Sequence, residues 1–168
     1  MGFYESLFAA TADRTDAGEV PTRELAHAHV DCVDHSAVTF RDGARRALEH
    51  ARETAAQVGL VTNGGEASQT TKLEALDIAD AFDVTVFVDP ANGVEPKPHP
   101  APFERALARL DADSAETVHV GDSLRADVGG ANASGIDSVW VPYDEASHAG
   151  DHEPTHHIES MAAFPSLF

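Results

Sequence analysis

Apolar positions along this chain change their period near residue 41, and the change divides the sequence into a helical lead and an alternating remainder. Before that point, Pro21 suits a first helical turn, and Leu25, Ala28, Cys32 and Val33 recur at helical spacing to form one apolar face. No strand-type run interrupts residues 1–40. From Arg41 onward, Asp42 is placed to cap a helix with a stripe of Ala44, Ala47, Leu48, Ala51 and Ala55, followed by the short apolar run Val58-Gly59-Leu60-Val61. Thr62-Asn63-Gly64-Gly65 ends that run as turn residues end a buried strand.

The alternation continues to the end of the chain. A helix is predicted over 66–76, a strand over 84–88, a proline-rich loop over 89–100 and a helix bearing Phe103, Ala106, Leu107 and Leu110. Thr117-Val118-His119-Val120 is the next strand, a helix carries Leu124, Val128 and Ala131, and Ser138-Val139-Trp140-Val141 is a further strand. A short strand at His157-Ile158 and an apolar helix or turn close the chain. Strands separated by helices of this length imply right-handed crossovers, so the fold class is α/β with a parallel sheet covered on both faces.

Charge and composition narrow the partners. Among 168 residues, 29 are acidic and 11 basic, a formal net charge of −18, so nucleic acid and anionic membrane surfaces are repelled. The acid is spread along the chain and lysine is confined to Lys72 and Lys97, a balance suited to concentrated salt, which screens self-repulsion. The charge is thus read as adaptation to a halophilic solvent. No apolar run approaches the roughly 20 residues needed to span a bilayer, and the start lacks a signal core, so a cytoplasmic protein is expected. The single cysteine, Cys32, excludes an internal disulfide.

In open parallel sheets ligands sit beyond the carboxyl ends of strands, and three polar segments fall there. Thr62, Asn63 and Gly64 offer a hydroxyl and amides at a helix start, fit for an anion, although a turn with a threonine cap reads equally well. Lys97 stands between Pro96 and Pro98 in a stiffened loop. It is either a cation for a phosphoryl-transfer site or ordinary surface solvation. Asp122 and Asp127 in Gly121-Asp122-Ser123-Leu124-Arg125-Ala126-Asp127 are spaced to share one hard cation, or else to cap a helix and line its wet face.

Taken in order, Thr62-Asn63-Gly64, Lys97-Pro98 and Gly121-Asp122-Ser123 with Asp127 resemble the second, third and fourth motifs of the haloacid dehalogenase superfamily, in its subfamily with a helical cap, the phosphoglycolate phosphatase-like enzymes. The resemblance covers roughly 41–168. It implies a Rossmann-like core over 41–168 and makes 1–40 the remnant of a helical cap. It further implies that Thr62, Asn63, Gly64 and Lys97 bind the phosphoryl group, that Lys97 serves catalysis, and that Asp122 and Asp127 hold Mg2+. The activity implied is Mg2+-dependent hydrolysis of a small phosphorylated metabolite through an aspartyl-phosphate.

The family's first motif, a strand ending in Asp-x-Asp, finds no counterpart. Asp31-Cys32-Val33-Asp34 has the wrong spacing, and Asp111-Ala112-Asp113 follows a helix instead of a strand. Its strand would lie between Gly59–Thr62 and Thr117–Gly121, so the sheet is expected either to close over the gap or to receive a strand from elsewhere, through self-association or complementation by a missing N-terminal segment. An inactive or truncated chain is therefore expected, with Met1 as an internal methionine. Two other readings stand beside it. One is a non-catalytic phosphate-binding or partner-subunit protein; the other is a 2-haloacid dehalogenase-like enzyme, against which the retained Asp122 and Asp127 speak because that chemistry uses no metal.

Overall fold

The computed structural model of the chain describes residues 2–15, 19–88 and 95–168, so part of the predicted loop over 89–100 lies outside the described residues. Two compact units emerge, Met1–His35 and Ser36–Phe168. The first holds two helices packed on each other, α1 (Gly2–Thr15) and α2 (Thr22–Cys32). Among the described side chains of α2 Ala26 is buried, whereas Leu25, Cys32 and Val33 of the expected apolar face are exposed. Helical period locates a stripe without saying which neighbouring row turns inward, and a small alanine lets a partner helix approach closely.

In the second unit, α3 (Ala44–Thr54) buries Ala47 as expected, but its start is set differently. Gly43, at φ +74°, precedes the helix and no side chain caps it, so Asp42 is not the cap. The strands that follow among the described residues are β1 (Gly59–Thr62), β2 (Val84–Phe87), β3 (Val118–Gly121), β4 (Asp137–Trp140) and β5 (His156–His157). Between them run α4 (Glu66–Ala75), α5 (Ala101–Leu110) and α6 (Gly129–Ala133). Every pairing among these strands is parallel.

The strands form two ladders, β1 with β2 and β3 with β4 and β5, and β1 is not laddered to β3. Among the described residues the expected closure over the gap does not occur. Burial follows from this. β4 has a neighbour on each side and buries Ser138, Val139 and Trp140, while β1 and β3, paired on one side only, begin exposed and continue half-buried. The run ending at Val61, expected to be buried, is only half so for that reason.

Helices cover both faces. Ala47 of α3 packs with Val139, Val141, Ile158 and Phe164, and Phe103 of α5 packs with Ala131 and Ile136. α5 lies against β1 and β2, and its Phe103 ring also meets the His119 ring of β3 edge-on at 4.9 Å. It therefore ties the two ladders together. The helix expected from Leu124 through Ala131 forms as a wide turn, Leu124–Val128, before α6. In that turn the Val128 N–H reaches five residues back to the Ser123 carbonyl.

Candidate active site

The carboxyl ends of β1 and β3 bring the three polar segments together. β1 ends at Thr62, whose hydroxyl accepts a hydrogen bond from the Gly64 N–H at 3.1 Å. This fixes the turn and leaves the Thr62 O–H as a donor. The Asn63 side chain then clasps the proline loop: its Nδ2 donates to the Lys97 carbonyl at 3.0 Å, and its Oδ1 accepts from the Lys97 N–H at 2.8 Å. Asn63 thereby spends its amide on positioning Lys97. Any contact it makes with an anion falls to its backbone N–H.

Lys97 is held at its other end as well. Its Nζ donates to Asp127 Oδ1 at 2.7 Å and to the Val61 carbonyl at 2.9 Å. The Thr62 carbonyl accepts from Val88 on the β2 side, so that of Val61, one residue earlier, turns to the opposite, unladdered edge. An ammonium has three protons, so one remains for an anion. α4 begins directly beyond, with no side-chain cap on its first turn, and its unpaired amides point the same way along the helix axis.

Asp127 is buried and saturated on most sides. Besides Lys97 it accepts from His119 Nε2 at 3.0 Å and from the Ser123 N–H at 3.0 Å. Gly121 makes room for it, because a Cβ there would lie closer than 3.0 Å to the Asp127 carboxyl. Burial on its own would raise this carboxyl, but the His119 hydrogen bond and the Lys97 charge outweigh it and hold the group well below the usual carboxylate range. Sequence reasoning placed Asp127 beside Asp122 on one cation; in the structure its carboxyl oxygens accept from Lys97, His119 and the Ser123 N–H.

Asp122 stands differently. It leaves β3 exposed, and its side chain has no hydrogen bond or ion pair among the described residues. Its carbonyl accepts from the Trp140 indole N–H at 2.7 Å. An exposed, uncommitted carboxylate is a hard oxygen donor of the kind Mg2+ takes with several waters retained, so Asp122 offers one ligand, while among the described residues no group of three or more His, Cys, Asp or Glu side chains could hold a metal ion. His119 and Trp140 escaped sequence reasoning. The available signal was a polar residue inside the apolar run 117–120 and an aromatic residue at a strand end. His99, beside Lys97, has a local role, in which its Nδ1 accepts from the Ala101 N–H at the start of α5. Asp113 of Asp111-Ala112-Asp113 accepts from the Ala115 N–H in a turn after α5 that leads into the amino end of β3.

A chain with this core and these residues at the strand ends belongs to the haloacid dehalogenase-like hydrolase family, whose sequence profile matches residues 4–141. Relatives include a glyceraldehyde 3-phosphate phosphatase of Pyrococcus abyssi, 38% identical over 101 residues, or 60% of this chain and 42% of that protein. A ribulose-1,5-bisphosphate 5-phosphatase of Halopiger xanaduensis is 39% identical over 106 residues, 63% of this chain and 44% of that one. The chain thus spans less than half the length of these curated relatives. Among solved structures, the HAD-hydrolase YfnB of Bacillus subtilis bound to magnesium superimposes with a TM-score of 0.79 at 23% identity, over 98% of this chain and 70% of that one, which establishes the shared fold.

Proposed function

We propose that this chain carries the phosphoryl-binding core of a Mg2+-dependent phosphatase acting on a small phosphorylated metabolite in the cytoplasm. The observation that supports the reading is the Lys97 ammonium bound both to the Val61 carbonyl of β1 and to Asp127 beyond β3, with Asn63 gripping the lysine backbone, next to the strand ends that carry Thr62 and Asp122. The Thr62 hydroxyl, the Asn63 backbone amide and the third Lys97 proton bind the phosphoryl oxygens, and the Gly64 N–H holds the Thr62 hydroxyl in place for it. Lys97 also balances charge as the group transfers.

Charge counting supports the cation. Lys97 contributes one positive charge and Asp122 and Asp127 one negative charge each, so the cluster is net negative and repels a phosphate dianion until a divalent ion arrives. Asp122 would hold Mg2+, and the ion supplies charge neutralisation and a Lewis acid for a phosphoryl oxygen. The nucleophilic carboxylate of such a site would stand on a strand between β1 and β3, which are not laddered to each other. Residues 1–40 are the remnant of a helical cap in this reading.

The test is turnover of p-nitrophenyl phosphate with Mg2+ in concentrated salt. The 168-residue protein is expected to show negligible activity alone and to gain it when a segment bearing an apolar strand and Asp-x-Asp is supplied in trans. Robust activity of the chain alone, abolished by Lys97→Ala, would mean that a nucleophile lies within these residues.

A further inference from the structure

His119 is a polar residue inside strand β3, on the face of that strand that also carries Gly121 two positions on. Gly121 leaves the space in which the Asp127 carboxyl lies, and His119 Nε2 stands 3.0 Å from its Oδ1. The His119 side chain is largely withdrawn from water, 15% exposed, and its ring meets Phe103 of α5 edge-on at 4.9 Å. Phe103 is itself packed on Gly130, where a methyl group would lie closer than 3.0 Å to its ring. Packing of α5 thus sets the plane of the imidazole.

Asp127 is ionised and can only accept, so the His119 nitrogen facing it carries the proton. Burial works against the charged carboxyl, and the His119 hydrogen bond stands first among the contacts that overcome it. Both carboxyl oxygens are engaged: Oδ2 accepts from the Ser123 N–H at 3.0 Å, and Oδ1 accepts from His119 at 3.0 Å and from the Lys97 ammonium at 2.7 Å. Oδ1 is therefore shared by a donor from the proline loop and a donor from β3.

Sharing has two consequences for Lys97. A carboxylate pinned through both oxygens does not swing with the lysine, so the ammonium stays fixed beside the carboxyl ends of β1 and β3. The imidazole N–H dipole, positive end toward the carboxylate, also offsets part of that group's negative potential at the ammonium, which leaves more of the lysine charge for an anion. We propose that His119 is a positioning residue for Lys97, acting through Asp127 to hold the ammonium in place for a tetrahedral oxyanion and to keep its charge available. The inference rests on the phosphoryl-binding reading above and calls on no metal ion.

The experiment is a calorimetric titration of sodium tungstate into the full chain in concentrated KCl, with melting curves on the same samples. His119→Gln keeps an amide N–H at the reach of Nε2 and deletes the ring that Phe103 packs on. It should bind tungstate nearly as wild type does while melting at a lower temperature. His119→Leu has no donor, and the amide of His119→Asn ends short of Oδ1; both should bind roughly three- to tenfold more weakly, the worth of one hydrogen bond. A histidine that only fills space would lower stability in all three variants without dividing them by the reach of a donor. Equal affinity in wild type, His119→Leu and His119→Asn overturns the positioning role and leaves the phosphoryl site standing. Equal weakening in all three variants overturns it as well, because the N–H would then not be the group that matters. Should His119→Leu fail to fold, the contrast between His119→Gln and His119→Asn decides alone. Absence of tungstate binding by wild type, or binding undiminished in Lys97→Met, removes the phosphoryl-binding reading and this inference with it.

Discussion

The Lys97 ammonium lies 2.7 Å from Asp127 Oδ1 with both side chains largely withdrawn from water, 11% and 8% exposed. Thirty residues separate them in sequence. Because the lysine also reaches the Val61 carbonyl of β1 and the aspartate also accepts from His119 of β3, this pair links the unladdered edges of the two sheets.

Acid should undo that link in a defined direction. Asp127 ionises in the folded chain well below its ordinary value of 3.8, so its contribution is fully present above the usual carboxylate range and is lost as pH falls below it. Urea midpoints measured from neutral pH downward in constant high salt are expected to decline for wild type. Asp127→Asn should start lower and decline less steeply; identical slopes would show that the carboxylate is not held by its partners.

Removing the cation should cost more than removing the pair. Lys97→Met leaves a buried carboxylate with His119 and a backbone amide as its remaining donors, a loss of about 2 to 4 kcal/mol. The double variant Lys97→Met/Asp127→Leu is expected to regain part of it. Chemical denaturation of wild type, Lys97→Met, Asp127→Leu and the double variant gives the coupling directly, and additive losses would argue against an ion pair of consequence.

Gly121 is where backbone meets catalytic strut. Its substitution by alanine puts a methyl group closer than 3.0 Å to the Asp127 carboxyl, so the carboxylate must move and Lys97 with it. We expect about 1 to 3 kcal/mol of destabilisation and weakened binding of a phosphate mimic such as tungstate. Calorimetric titration of tungstate into Gly121→Ala checks this; unaltered binding would separate Asp127 from the anion site.

Two glycines far apart in the fold should behave oppositely. Gly43 sits at φ +74°, and a methyl group there would lie closer than 3.0 Å to the Ala162 backbone, so Gly43→Ala strains the turn and collides with main chain. A loss above about 1 kcal/mol is expected. Gly65 has nothing within 4 Å of such a methyl and a φ of −65°, so Gly65→Ala should change stability by less than about 0.5 kcal/mol. Melting curves of the two variants decide it.

Much of this arrangement was legible in the chain because the relevant signals are local. Strand runs ending at Thr62 and Gly121 mark carboxyl ends, where ligands of parallel sheets gather, and Lys97 is conspicuous between two prolines in a sequence that has nearly abandoned lysine. The order of strands and helices followed from the same short-range periodicity. The face of α2 that packs did not, because Leu25 and Ala26 are adjacent rows on one short helix and period alone does not choose between them.

By itself, then, the sequence determined the α/β order, the parallel sense of the strands and the place of Thr62, Lys97 and Asp122 at their ends. Only the tertiary structure decided that Asn63 grips the Lys97 backbone, that Asp127 turns inward to Lys97 and His119, and that Trp140 holds the Asp122 carbonyl. It also decided that the sheet stays in two ladders. Each of these is a pairing between residues distant along the chain, set by which backbone and side-chain groups must find a partner once water is excluded, and hydrophobic periodicity carries no record of such partners.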